Sequence, residues 1–180
     1  IVFGDWSSDV CSSDLVGDNI NCTGCIKEGE VSAESSSIPV IRRMVSSDLE
    51  RIIEIDIKVL GKERTDYWKT KMALVEQRPQ FSALVATIDG RVVGFIIGGA
   101  SRWEYGVPEN VGWIDTIGVD PEHQRKGIAK LLFREMTQNL KQGGIDTLIT
   151  FVTRRDWLML KFFSRLGFQK GDMVNLELDI

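Results

Sequence analysis

Val119-Asp120-Pro121-Glu122-His123-Gln124-Arg125-Lys126-Gly127-Ile128-Ala129 joins two different periodicities. The apolar run before it, Trp113 to Val119, reads as a strand. After it, Ile128, Leu131, Leu132, Met136 and Leu140 share one face of a helix. A strand, a short loop ending in Gly and a helix start together make an anion site. The first helical N–H groups have no partner within the helix, and the dipole favours negative charge there. Gly127 admits close backbone approach, and Arg125 and Lys126 add positive charge. Elementary physics predicts a cradle for phosphate or pyrophosphate.

The spacing is more specific than the physics. Gln124-x-x-Gly127-x-Ala129 has the form Gln/Arg-x-x-Gly-x-Gly/Ala. Ile117-Gly118-Val119-Asp120-Pro121 precedes it, and Phe162-Phe163-Ser164-Arg165-Leu166-Gly167-Phe168 follows further on. The combination resembles the GNAT superfamily of acetyl-CoA-dependent N-acetyltransferases, from about Pro39 to Ile180. Two other nucleotide signatures are missing. No Gly-x-Gly-x-x-Gly opens a helix, and no Gly-Lys-Ser/Thr occurs. Gly94, Gly98 and Gly99 lie in a strand-like run, where glycine marks a bulge or a close backbone contact.

The N-terminal region reads differently. From Asp5 to Leu15 the residues match one reading frame of a common sequencing adapter, and the first Met is Met44. Residues 1–37 are therefore expected to be an artefact or a disordered arm, and 38–180 the folded domain. Cys22-x-x-Cys25 falls in the doubtful part. Cys11 and His123, both distant, are too few to complete a zinc site, so no metal is expected. Hydrophobic content of 43% and charged content of 27% are those of a globular domain. A net charge of −4 argues against nonspecific nucleic-acid binding. No apolar run reaches the roughly 18 residues of a membrane span. A domain without cysteine and with such a loop fits the cytoplasm.

Along the chain, Ile38 to Met44 predicts a first strand. Ser47-x-x-Glu50 has the form of a capping box. It predicts a helix with Leu49, Ile52, Ile53, Ile57 and Leu60 on one face, ending at Gly61, with Asp56 at that face. A second helix, Thr65 to Gln77, carries Trp68, Met72 and Val75. Asp89-Gly90 between two apolar runs predicts a hairpin of 81–88 with 91–100. A loop from Ser101 to Asn110 and a strand Val111 to Val119 lead to the helix that Gly143-Gly144 stops. A strand from Thr147 to Thr153, a helix from Asp156 to Leu166 and a strand from Met173 to Asp179 complete the chain. This order matches the resembling family. It implies an α/β (α+β) GNAT fold, a mixed sheet of six to seven strands flanked by about four helices.

The resemblance also implies a chemistry. Acetyl passes directly from acetyl-CoA to an amine in a ternary complex. The amine must be neutral, although a free alkylamine has a pKa of about 10. The oxyanion needs donors, and the thiolate needs a proton or electrostatic help. Ile117, Gly118 and Val119 are placed along the pantetheine arm, with an N–H of Gly118 or Val119 on the carbonyl. Gln124, Arg125, Lys126, Gly127, Ile128, Ala129 and Lys130 are placed around the pyrophosphate. Asp156 joins this cofactor set, where relatives often have Asn. The expected base is Asp115, two positions from Ile117 and on its face. It can equally be a structural aspartate. Glu104 is the reserve base, and Tyr105 the acid. Many relatives have Tyr where this chain has Phe163, and a strand Glu of ribosomal-protein acetyltransferases is replaced by Phe151. His123 is the single histidine, read as a surface residue. Trp103, Tyr105, Trp113 and Trp157 can line an acceptor pocket or the core, and Trp113 fits the core.

Acetyl-CoA and an amine acceptor are thus the expected partners, with a monomer or homodimer as the assembly. Two other readings stand beside the enzyme. One is a non-catalytic acyl-CoA-binding regulatory module, because Phe163 has no proton to give. The other is a nucleotide-binding regulatory domain, which the order of elements disfavours.

Overall fold

The computed structural model describes residues 38–78, 81–100 and 110–178. The expectations for residues 1–37, and those for Trp103, Glu104 and Tyr105, lie outside them. Five strands form one sheet in the order β1 (Val40–Arg43), β2 (Phe81–Ile88), β3 (Arg91–Ala100), β4 (Val111–Val119) and β5 (Thr147–Ile149). The first four are antiparallel neighbours, and β5 runs parallel to β4. Helices α1 (Leu49–Leu60) and α2 (Thr65–Gln77) follow β1. Helix α3 (Ile128–Gln142) separates β4 from β5, and α4 (Trp157–Arg165) follows β5.

Period-two alternation gives the strands two faces, and in the central strands both are buried, which makes two cores. One core joins Leu84, Ile96, Ile114, Ile117 and Val119 to Ile128, Leu132 and Met136 of α3 and to Met159 and Phe163 of α4. The other joins Val85, Phe95 and Ile97 to Ile52 and Ile55 of α1 and to Trp68, Met72 and Val75 of α2. Trp68 meets the Phe95 ring edge-on at 5.0 Å, a contact worth about 0.5–1.5 kcal/mol beyond its area. The β2–β3 hairpin turns at Asp89 and Gly90, both at positive φ, 50° and 77°. Such a primed turn matches the twist of the strands. No helix among the described residues is long and apolar enough to cross a membrane.

Several expectations change. The described sheet has five strands, not six to seven. Residues 173–178 alternate as a strand should, yet they form none. Val174, Leu176 and Leu178 are exposed, because no neighbouring ladder receives them. Strand β5 stops at Ile149 rather than Thr153, since its pairing with β4 ends at Trp113 opposite Ile149. Ser47 does not cap α1. A 3₁₀ turn over Ser46–Asp48 comes first, and the Asp48 carboxylate takes the Val45 N–H at 3.0 Å and both arms of the Arg42 guanidinium. In α1 the buried positions are Ile52, Ile55 and Asp56, while Ile57 turns outward. Asp56 is fully buried because Arg64 grips it through Nε at 3.0 Å and Nη2 at 2.8 Å.

Candidate functional site

The site starts where β5 leaves β4. Only Val111, Gly112 and Trp113 of β4 pair with β5. Past them, the Thr150 hydroxyl reaches Ile114 O at 3.1 Å, and no ladder follows. The Asp120 N–H bonds Val93 O at 2.8 Å, towards β3. In an antiparallel pair, successive residues point their backbone groups to opposite sides. Val119 and Ile117 therefore turn N–H and C=O away from β3, into the gap beside β5. The side chain of Gln124 enters this gap, donating from Nε2 to Val119 O at 3.1 Å. Gly118 points its N–H the other way. A Cβ on Gly118 would lie 2.6 Å from Cζ of Phe95, so packing requires this glycine.

The open edge runs straight into the loop. Asp120 caps a 3₁₀ turn over Pro121–His123 by accepting the Glu122 N–H. Arg125 and Gly127 then take left-handed φ, 63° and 78°. The first bond of α3 is from the Leu131 N–H to Gly127 O, 3.0 Å. The N–H groups of Ile128, Ala129 and Lys130 lie ahead of that bond. No side chain caps the helix and no acid sits in its first turn. A Cβ at Gly127 would have nothing within 4 Å, so the space over the loop is open. Arg125, Lys126 and Lys130 are exposed at its margin.

Beneath the loop lies a charge network that sequence spacing does not reveal. Asp120 is fully buried. Arg51 Nη2 contacts its Oδ2, and Lys58 Nζ lies 3.3 Å from each carboxylate oxygen. Burial pushes the Asp120 carboxyl up. The Glu122 N–H and the two cations outweigh burial and hold it below the usual carboxylate range. Asp120, Glu122 and His123 bring ligand-type atoms within 4.8 Å of one another. Arg51 and Lys58 already neutralise that group, and a metal ion would have to displace them.

Asp115 occupies the bulge where Ile97 pairs with Thr116 and Gly98 with Ile114. The extra residue resets the alternation. Asp115 thus faces α2, opposite to Ile117, which corrects the shared face expected from spacing. Its Oδ2 lies 2.6 Å from Nζ of Lys71, a residue that sequence reasoning missed. Tyr67 lies beside this pair, with Arg64 over its ring at 4.6 Å and Lys71 at 5.5 Å. Burial, then the Asp115 charge, push the Tyr67 phenol up to about 12. An α2 lysine on the α1–α2 side was the available signal, but nothing local pairs it with β4.

The remaining expected residues are dispersed. Asp156 caps α4, accepting the Met159 N–H at 3.0 Å, while its Oδ2 is buried without a partner. Phe163 is buried in the core, 5.2 Å from the Phe162 ring and 5.1 Å from the Phe168 ring. Trp113 is half-buried against Phe81, and Trp157 is turned to solvent. His123 is half-buried, with its Nδ1 unpaired.

A profile of the acetyltransferase (GNAT) family matches residues 49–168. The chain belongs to the GNAT acetyltransferase family. The GNAT relatives include the uncharacterized N-acetyltransferase YafP of Escherichia coli, 32% identical over 61% of this chain and 57% of its own. An uncharacterized N-acetyltransferase of Methanocaldococcus jannaschii is 26% identical over 74% of this chain and 62% of its own. The chain thus spans about three-fifths of the length of these curated relatives. Among solved GNAT structures, the aminoglycoside N-acetyltransferase AAC(6')-Iy in complex with CoA superposes with a TM-score of 0.70. It shares 19% identity, covering 81% of this chain and 97% of that one.

Proposed function

We propose that this chain is an acetyl-CoA-dependent N-acetyltransferase that moves acetyl to a primary amine by direct transfer in a ternary complex. The observation that carries the reading is the continuity of the open β4 edge with the uncapped start of α3. A pantetheine arm fits that edge as an added strand, its amides pairing with the backbone of Ile117 and Val119. The pyrophosphate fits the N–H groups from Arg125 to Lys130, and Gln124 holds the loop to the strand. The relatives' names, N-acetyltransferases, support the class.

In this reading the amine nitrogen attacks the thioester carbonyl. A C–N bond forms, the C–S bond breaks, the amine loses a proton and the sulfur gains one. The Val119 N–H, on the open side, is the better oxyanion donor than that of Gly118. Asp115 takes the amine proton. Lys71 pairs with its Oδ2 at 2.6 Å. Tyr105 as acid and Glu104 as reserve base are proposed from residues 101–109. The acceptor is a primary amine of a protein or a small molecule.

Calorimetric titration with acetyl-CoA, and with ATP as the control, tests the cofactor. Thiol release with a panel of amines tests transfer. Binding of ATP in preference to acetyl-CoA would overturn the reading. A second reading, a non-catalytic acyl-CoA-binding module, draws support from Phe163 lying in the core without a proton to donate. Tight acetyl-CoA binding with no thiol release from any amine would favour it.

A further inference from the structure

The Arg51 side chain is only 14% exposed, and each of its three nitrogens meets a partner. Nε bonds Val92 O of β3 at 3.0 Å, Nη1 meets Glu54 at 2.7 Å, and Nη2 contacts the buried Asp120. One planar group therefore ties α1, β3 and the exit of β4 together, which a lysine cannot do with a single point charge. Lys58, two turns along the same helix, reaches Asp120 at 3.3 Å and Glu122 at 3.1 Å. Asp120 in turn fixes the loop. Its carboxylate takes the Glu122 N–H, and its carbonyl takes the His123 N–H at 2.8 Å. The left-handed turn at Arg125 follows directly.

We propose that Arg51, seconded by Lys58, is a positioning residue for the pyrophosphate loop and acts through Asp120. Neither cation is in the loop, and neither is assigned a contact with the cofactor. They set the direction in which the chain leaves β4, and so where the N–H groups of Arg125 to Lys130 point. A cradle built from backbone dipoles depends on orientation, so a small rotation of the loop weakens anion binding more than it weakens the core. The inference rests on the proposed binding of acetyl-CoA.

The experiment compares the full chain with Arg51→Met, Arg51→Lys and Lys58→Met. Acetyl-CoA affinity is read by calorimetry, the acceptor KM by thiol release, and folding by a cooperative thermal melt. Arg51→Met is expected to weaken acetyl-CoA by about tenfold or more, with the acceptor KM within about twofold. Arg51→Lys recovers part of the loss, and Lys58→Met shifts affinity by about threefold in the same direction. A folded Arg51→Met protein that binds acetyl-CoA like the wild type overturns the inference. If Arg51→Met does not fold, Lys58→Met decides, and unchanged affinity there overturns it. Failure of the wild type itself to bind acetyl-CoA would instead remove the functional reading beneath it.

Discussion

Replacing Gly127 separates the two properties on which the proposed anion site rests. Its φ of 78° is left-handed, and a Cβ there would meet nothing within 4 Å. Gly127→Ala therefore costs backbone strain without a clash, about 1–2 kcal/mol. For a chain of this size that lowers Tm by about 2–8 °C. Gly127→Glu carries the same strain and adds a carboxylate beside the bare N–H groups of Ile128, Ala129 and Lys130. It would cap the helix and occupy the cradle. At an effective dielectric of about 20, a like charge roughly 5 Å from a phosphate costs about 3 kcal/mol. That is a loss of about 100-fold in affinity. Calorimetry with acetyl-CoA at about 0.15 M salt, where screening is modest, reads the difference between the two variants. The Ala variant should stay within about tenfold of the wild type, and the Glu variant should fall about a further 100-fold. Equal affinity of the two, with both proteins folded, would refute the placement of the anion over this loop.

The other predictions use the same preparations. Asp115→Asn should lower turnover by about 10²-fold or more with acetyl-CoA affinity unchanged, measured by steady-state kinetics beside calorimetry. Unaffected turnover would transfer the base to Glu104. Phe163→Tyr, which buries a hydroxyl among Phe162 and Phe168, should cost about 1–3 kcal/mol by denaturant melt and give no gain in turnover. A more active variant would show that the position faces the thioester. Asp120→Asn leaves two cations around a neutral group and should destabilise by about 3 kcal/mol at neutral pH. The folded carboxyl titrates below its unfolded value of about 3.9. Its contribution is therefore complete above about pH 4 and is lost as pH falls through the folded value. The gap between the melts of the two proteins should narrow as pH falls from 7 to 2.5. A difference independent of pH would exclude the charge as its source.

The parts of the fold that local chemistry dictates were legible in the sequence. Asp89-Gly90 specified the hairpin, the spacing of Trp68, Met72 and Val75 specified α2, and Gly127 and Gly143 bounded α3. The left-handed loop between β4 and α3, on which the proposed anion site rests, was legible because its residues are contiguous. What was missed depends on pairs far apart in the chain. Lys71 meets Asp115 only after α2 folds over the sheet. Arg51 and Lys58 meet Asp120 across more than sixty positions. The bulge that turns Asp115 away from Ile117 arises from the register between β3 and β4, which no single strand encodes. The alternation in 173–178 is real, but alternation makes a strand only where a neighbour supplies the ladder.

The parting of β4 and β5 also bears on solubility. A bare strand edge on the rim of a sheet invites a second protein molecule to pair with it. Here the open stretch of β4 past Trp113 is short, and the Gln124 side chain already takes the Val119 carbonyl. So short a stretch offers a second molecule few ladder bonds. The sheet can therefore keep unsatisfied hydrogen-bonding groups there without becoming a seed for aggregation. In the unliganded protein the amides of Ile117 and Val119 should exchange with deuterium faster than their neighbours on β3.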